Sequence, residues 1–197
     1  ARSHGSGCIS EWMSPRKRVL AAVLGGRVDR PPVANPTSVA TVELQERTGC
    51  YFPDAHLHAD QMAALAAAGH DLLGFDTIAP VFSVSQESEA LGCVVDWGSP
   101  RDVPQERTHP FPEPEAFRIP PDFLERPSIA VVLEALRLLR REYGDHVAIV
   151  GKVMGPWTLA YHMAGVQDFL MWTLLDPDRV RRFLDALKPV TLLFARA

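Results

Sequence analysis

Apolar positions in the last seventy residues alternate between helical and strand spacing. Residues 128–143 carry apolar side chains at helical spacing and charged side chains on the opposite face, which predicts an amphipathic helix. Val147–Gly151 is a continuous apolar run, typical of a strand buried on both faces. Further helices are predicted from about Thr158 and over residues 178–195. This alternation predicts βαβ units with a parallel sheet, and therefore an α/β fold.

The first half of the chain gives shorter signals. Ser14-Pro15 is a typical start for a helix with an apolar stripe, and residues 39–47 and 60–73 predict two more helices. Residues 75–84 contain a strand, and residues 91–97 are a second strand candidate. Residues 98–127 are rich in proline and charge and predict a long excursion, partly strand and partly loop, with a flap over a site as one reading. The stripe of the first helix consists of Val19, Leu20, Val23 and Leu24.

Two strands with crossover helices are too few to close a parallel barrel of eight strands. A sheet with so few strands would leave its edges unpaired. We therefore expect further sequence, or a partner chain, to complete it. Residues 14–197 are predicted to form part of a single domain, and residues 1–13 a leader or a disordered tail.

Composition excludes several classes of protein. The 197 residues are 47% hydrophobic and 22% charged with a net charge of −4, as in ordinary globular proteins. The densest basic run is only Arg16–Arg18, so no nucleic-acid partner is expected. The chain has no run of about 18 apolar residues, so no membrane span is expected. Three widely spaced cysteines argue against disulfides and predict a cytoplasmic protein. The sequence does not determine the oligomeric state.

Residues 151–162 hold the most informative chemistry, because they follow a predicted parallel strand at the end where barrel enzymes place their sites. Trp157 offers a flat apolar wall, and Tyr161 and His162 offer proton donors or acceptors. The alternative is a strand-to-helix turn whose aromatic residues belong to the core. Asp76 either bonds a substrate or caps a turn, and Glu89 belongs either to the site or to a salt bridge.

Histidines and cysteines raise the question of a metal site. His56, His58 and His70 form a conceivable cluster, but a capping or surface role fits imidazoles at helix ends better. Cys50 and Cys93 are predicted to be buried structural thiols. From these residues we predict no metal site within this chain.

Five ordered motifs carry a family resemblance. Gly155–Leu159 leads into Tyr161-His162-Met163, and the other motifs precede it along the chain. They are Val28–Val33, Tyr51–His56, His70–Asp76 and Glu89–Cys93. Together they resemble the uroporphyrinogen decarboxylase superfamily from about Pro15 to the end of the chain. The resemblance implies the N-terminal portion of a TIM-like (β/α)8 barrel with an N-terminal helical extension.

Two departures indicate which branch the chain resembles. In the decarboxylases an arginine-rich segment follows the Arg-Pro-Pro-Val element and holds the carboxylates of the substrate. Here residues 34–41 contain no arginine. The decarboxylases also carry an essential Asp in a Phe-Ser-Asp-Ile context, whereas Phe82-Ser83 is followed here by Val84-Ser85. Both differences favour the methyltransferase branch.

That branch implies methyl transfer from a methylcobalamin-type corrinoid, free or on a corrinoid protein, to a thiol such as coenzyme M or to a pterin. In that branch a zinc ion activates the thiol as a thiolate, and a His-x-Cys pair with a later Cys binds the zinc. This chain lacks these ligands, and they are expected in a missing C-terminal part. The resemblance implies that Trp157, Tyr161 and His162 line the pocket, with Asp76 and Glu89 as further substrate-binding candidates. The alternatives are a uroporphyrinogen decarboxylase of haem synthesis and a non-catalytic half-barrel subunit.

Overall fold

The computed structural model describes residues 12–110 and 113–197. The predictions for residues 1–11, including Cys8, therefore lie outside the described residues. The helices are α1 (Pro15–Val23), α2 (Val42–Thr48), α3 (Asp54–Leu57), α4 (Ala59–Asp71), α5 (Gln86–Ala90), α6 (Pro127–Tyr143), α7 (Pro156–Ala164), α8 (Val166–Leu175) and α9 (Pro177–Arg196). The strands are β1 (Thr77–Ile78), β2 (Val95–Asp96), β3 (Gln105–Glu106) and β4 (Ala148–Ile149).

A short parallel sheet forms the centre of the fold. Strands β1 and β4 pair in parallel, with Thr77 opposite Ala148 and Ile78 opposite Ile149. Helices α4 and α6 pack against each other, and α6 also contacts β4. The predicted parallel arrangement is therefore confirmed. Strand β2 instead pairs antiparallel with β3 in a separate hairpin, so the second strand candidate does not join the parallel sheet.

Periodicity explains the long helices. On α6, Ile129, Val132 and Leu139 are fully buried, while Arg137, Arg140 and Arg141 are exposed, as the amphipathic pattern predicts. The buried side of α9 repeats at intervals of three and four residues and joins the same core. Its members are Val180, Phe183, Leu187, Val190 and Phe194.

Helix α1 corrects the sequence prediction. Val23 is 78% exposed and Leu20 and Leu24 are also exposed, so the predicted apolar stripe faces solvent. The buried residue of α1 is Arg18, which is only 2% exposed. Its guanidinium forms ion pairs with Asp29 at 2.7 Å and with Asp76 at 2.6 Å, which offset the cost of burying its charge. Polar pairing therefore decides which side of α1 faces inwards.

Three other elements differ from the prediction. Residues 148–150 are half-buried rather than buried on both faces, because β4 has a strand neighbour on one side only in the described part of the chain. The helix predicted from about Thr158 starts at Pro156 and is followed by a second helix after Gly165. Helices α3 and α5 were not predicted, since four and five residues are too few to show a helical period.

The start of the described chain is tied to the fold. The Met13 backbone N–H donates to Asp29 at 3.1 Å, and its carbonyl accepts from Arg18 at 2.6 Å. The Arg16 N–H donates to the His146 carbonyl just before β4. Helix α1 thus covers the amino ends of β1 and β4 and leaves their carboxyl ends for a site. Among the helices of the described residues, none combines the length and the apolar character that a membrane crossing requires.

Candidate functional site

The carboxyl ends of β1 and β4 lead into two helices that share a polar cluster. The chain passes from β1 through residues 79–85 into α5, and from β4 through residues 150–155 into α7. Helices α5 and α7 are in contact. Glu87 of α5 accepts a hydrogen bond at 2.8 Å from the backbone N–H of Met154 and so joins the two connections. This is the end of a parallel sheet where α/β proteins bind ligands.

Glu87 is the most deeply buried acid of this cluster, with 2% of its surface exposed. Its Oε1 holds the Met154 amide, while its Oε2 has no hydrogen-bond partner among the described residues. Burial raises the pKa of Glu87, and the nearby charges of Lys152 and His162 lower it in part. Lys152 is half-buried, and burial lowers its pKa. The cluster therefore holds a carboxyl group with one unused oxygen beside a partly desolvated amine.

His162 and Glu106 form the second part of the cluster. The imidazole Nδ1 lies 2.7 Å from Glu106 Oε2, and the Ser88 hydroxyl donates to Glu106 Oε1 at 2.6 Å. Burial alone would raise the pKa of Glu106, but the hydrogen bonds from His162 and Ser88 and the charge of His162 bring it to about 2. Glu106 is therefore ionised at neutral pH and accepts a hydrogen bond from Nδ1. The other nitrogen, Nε2, is buried and has no partner in the described structure.

Trp157 and Tyr161 share α7 with His162. Trp157 is 49% exposed and meets Phe169 edge to face, with ring centroids 5.0 Å apart. Tyr161 is half-buried, and its ring centroid lies 4.4 Å from that of His162. The three predicted residues therefore lie on one helix, where His162 belongs to the polar cluster, Tyr161 contacts His162 and Trp157 contacts Phe169. Their binding of a substrate stays a prediction.

The other two candidates have different surroundings. Asp76 lies at the amino end of β1, and its carboxylate accepts from Arg18, from Arg30 and from the backbone N–H of Val33. Burial opposes ionisation of Asp76, but these donors keep its pKa below the usual range. Because these contacts all lie within the chain, they fit a structural role for Asp76 better than substrate binding. Glu89 is half-buried on α5, on the same helix as Glu87.

The histidines near α3 and α4 do not meet as metal ligands. His56 is buried and stacks on Phe52 at 4.1 Å, and burial lowers its pKa to about 4. His70 contacts the Phe75 carbonyl through Nδ1 at 2.6 Å. Residues 12–110 and 113–197 contain no group of three His, Cys, Asp or Glu side chains that could hold a metal ion. Cys50 and Cys93 are buried free thiols, as predicted.

Sequence reasoning missed Glu87, Glu106 and Lys152. Glu87 stands two residues before the motif that begins at Glu89, and Lys152 lies inside the segment chosen for its chemistry, so both were within reach of the sequence signals. Glu106 gave no such signal, because it lies 56 residues before His162 in the proline-rich excursion. Only the hairpin of β2 and β3 brings it to α7.

Comparisons with known proteins agree on one family. The family described as "Uroporphyrinogen decarboxylase (URO-D)" matches residues 14–197. A methylated-thiol–coenzyme M methyltransferase of Methanosarcina mazei is 40% identical over 178 residues, which are 90% of this chain and 48% of that protein. A methylcobamide:CoM methyltransferase of Methanosarcina barkeri is 32% identical over 92% of this chain and 54% of its own length.

The fold comparison gives the same result. A solved methyltransferase from Methanosarcina mazei superposes with a TM-score of 0.87 at 34% identity, over 93% of this chain and 55% of that structure. The predicted α/β fold of the uroporphyrinogen decarboxylase type is therefore confirmed. The chain spans about half the length of these relatives.

Proposed function

Because this chain belongs to the uroporphyrinogen decarboxylase family, we propose that the protein carrying it transfers a methyl group from a methylcorrinoid to a thiol. The observation that carries this proposal is the 40% identity to a protein named for methyl transfer between a methylated thiol and coenzyme M. The methylcobamide:CoM methyltransferase from Methanosarcina barkeri supports the same reading. The acceptor is coenzyme M or a related thiol, with a pterin as the less favoured choice.

The residues after Val33 support this choice over decarboxylation. Uroporphyrinogen carries several carboxylates, and arginine forks are suited to bind them. Residues 34–41 contain no arginine, and Arg30 is already paired with Asp76. A methyl acceptor with a single small anionic group does not need such a set of arginines. We propose that the open face of Trp157 packs against the bound group and that Tyr161 and His162 contact it.

Zinc is expected from the family, but the described residues do not fit it. They offer no group of three suitable side chains, and the buried thiol of Cys93 has its pKa raised to about 12 by burial and by the charges of Glu106 and Glu89. We therefore derive no step of the reaction through zinc at these residues. The cytoplasmic location stays a prediction.

The test is a methyl-transfer assay on the protein that carries this chain. Purified protein is incubated with methylcobalamin, zinc and coenzyme M, and the methylated thiol is measured by mass spectrometry. We expect thiol-dependent formation of the thioether, and a parallel reaction with a reduced pterin tests the second acceptor class. Absence of product with every acceptor would contradict the proposal. Turnover of uroporphyrinogen would replace it with decarboxylation, and inactivity of a folded, monodisperse protein on all substrates would favour a non-catalytic subunit.

A further inference from the structure

The chain segment at Val33 lies against β1 and runs in the same direction. The Asp76 N–H donates to the Val33 carbonyl at 2.7 Å, and the Asn35 N–H donates to the Thr77 hydroxyl at 3.3 Å. Strand β4 pairs with β1 in the same parallel sense. Three chain segments therefore end together at the carboxyl end of the sheet. The connections that follow them are residues 36–41, 79–85 and 150–155.

These three connections contain a single cationic side chain, Lys152. Its neighbour Val153 packs against the apolar core, whereas Lys152 reaches across to the first connection, where its Nζ lies 3.4 Å from the Thr37 carbonyl oxygen. Lysine side chains usually carry their charge out into water. This one instead joins two connections at the end of the sheet where α/β proteins bind ligands.

The amine of Lys152 has hydrogen-bonding capacity left over. An ammonium group carries three N–H donors and no acceptor. The Thr37 carbonyl accepts one of them through a long contact, and no carboxylate among residues 12–110 and 113–197 lies within ion-pair distance of Nζ. Burial lowers the pKa of Lys152, and the charge of Glu87 raises it in part. The contact with Thr37 is exposed, so a small molecule can reach the amine from solvent.

Resting on the proposed function, we propose that Lys152 binds the anionic group at the far end of the acceptor thiol and thereby selects coenzyme M, a thiol that ends in a sulfonate. The sulfonate oxygens accept the N–H donors that Thr37 leaves unused, as a charge-assisted contact. One cation among the three connections matches a ligand with one anionic group. Two carbon atoms separate the sulfonate from the thiol in coenzyme M, so this contact leaves the thiol free for the zinc that the family implies.

The first test compares coenzyme M with 2-mercaptoethanol, which has a hydroxyl in place of the sulfonate. In Lys152→Met the side chain stays long and loses its charge. We expect KM for coenzyme M to rise about 10- to 100-fold at nearly constant kcat, as for a lost contact to a charged group. Both parameters should stay within about twofold for 2-mercaptoethanol. A lysine that only holds the connection at Thr37 would affect both thiols equally, and that outcome would overturn the proposal.

The matched control is Lys17→Met. Lys17 is exposed on α1, the helix that covers the amino ends of β1 and β4, so the same charge is removed at the opposite end of the sheet. We expect KM for coenzyme M to stay within about twofold of the wild type. A rise as large as in Lys152→Met would assign the effect to net charge, and the proposal would fail.

A conservative variant tests the charge itself. Lys152→Arg keeps a cation at this position and should recover most of the affinity for coenzyme M that Lys152→Met loses. If the arginine variant shows the same KM as the methionine variant, the positive charge is not what binds the acceptor and the proposal fails.

Binding can also be measured without turnover. Ethanesulfonate has the anionic end of coenzyme M and no thiol, and isothermal titration calorimetry gives its affinity. We expect the wild-type protein to bind it and Lys152→Met to bind it about tenfold more weakly or worse. Equal affinities would overturn the proposal. In the methyl-transfer assay ethanesulfonate should compete with coenzyme M. Competition with methylcobalamin, whose nucleotide carries a phosphate, would assign Lys152 to the donor and would also overturn the proposal.

The proposed function and the role of Lys152 fail separately. A wild-type protein that methylates no acceptor contradicts the proposed function, while the calorimetric comparison still shows whether Lys152 binds a sulfonate. A wild-type protein that methylates coenzyme M with a KM that Lys152→Met leaves unchanged contradicts the role of Lys152 alone.

Discussion

Arg18 shows how a single buried charge fixes the position of a segment. Its guanidinium bonds to Asp29 and Asp76, and Arg30 adds a second cation to Asp76 at 2.7 Å. The hydrogen bonds that Arg18 donates to Asp29 hold the pKa of Asp29 well below its usual range, and the same bonds raise the pKa of Arg18. Both groups therefore remain charged, and α1 is held against the strand ends by ionic contacts in place of apolar packing.

Removing one acid from this network should be costly. Asp76→Asn leaves the buried Arg18 with one carboxylate instead of two, and we expect the free energy of unfolding to fall by about 3 kcal/mol. Urea unfolding at neutral pH measures it. The control is Asp96→Asn, which breaks the exposed ion pair with Arg107 and should change stability far less. Equal losses in the two variants would show that burial does not matter here.

Glu106 should leave a mark on the acid stability of the protein. Its pKa falls from 4.5 in the free side chain to about 2 in the fold. An acid whose pKa is lowered by folding stabilises the fold fully above its unfolded pKa. This stabilisation is lost as the pH drops through its folded pKa. We expect up to about 3 kcal/mol of stability to be lost between pH 5 and pH 2, by the usual relation between pKa and free energy.

The measurement is denaturant unfolding at a series of pH values for the wild type and Glu106→Gln. The difference between the two curves should be largest above pH 5 and should shrink towards pH 2. A difference that stays constant over this range would mean that Glu106 does not titrate with folding.

Sequence reasoning could place residues on one element where their spacing is local, while their binding of a substrate stays a prediction. Trp157, Tyr161 and His162 stand close together in one segment after a strand, and the structure keeps them on one helix. The partner of His162 could not be found in this way. Glu106 reaches it through the hairpin of β2 and β3, whose strands have two residues each and show no clear period in the sequence. Glu87 is buried, and the Met154 amide that bonds to it is distant in sequence. Local spacing therefore cannot predict that Glu87 is buried.

At the scale of elements, the junction between α7 and α8 depends on a glycine. Gly165 has φ of +88° and ψ of 135°, a conformation that side chains strongly disfavour. A Cβ atom there would also lie 3.2 Å from the His109 ring. We expect Gly165→Ala to cost about 2 kcal/mol in the free energy of unfolding, measured with urea.

Gly151→Ala is the matched control for that junction. An added Cβ at Gly151 meets no atom within 4 Å, and its φ lies outside the left-handed region. It should change stability by less than about 0.5 kcal/mol. Similar losses at both positions would point to a general cost of the added methyl group and not to the backbone turn at Gly165.

Element prediction worked in proportion to length. Helix α6 has 17 residues and α9 has 20, enough for several turns of the apolar period, and both were predicted within a few residues. Helix α5 has five residues and shows no period. Helix α1 was placed correctly along the chain but with the wrong side inwards, because the pattern registers apolar residues and cannot register a buried Arg18. Its outward side is apolar and remains open in the described structure.

At the scale of the whole molecule, apolar surface collects on one helix. Five apolar residues of α8 are exposed, and Leu174 and Leu175 are 80% and 74% open. They are Val166, Leu170, Met171, Leu174 and Leu175. Contiguous apolar surface of this kind promotes association, whereas scattered exposed residues do not. Because these side chains contribute little to the core, their effect on association can be separated from their effect on folding.

We therefore expect the double variant Leu174→Glu/Leu175→Glu to associate less without losing stability. Light scattering of this 197-residue chain over a range of concentrations should show a rise in mean mass for the wild type that is absent or weaker in the variant. The free energy of unfolding should stay within about 1 kcal/mol, as for exposed positions. Gln167→Glu adds charge at an exposed polar position of the same helix and should leave association unchanged. If it suppresses association as strongly as the double variant, net charge is responsible and the apolar surface of α8 is not.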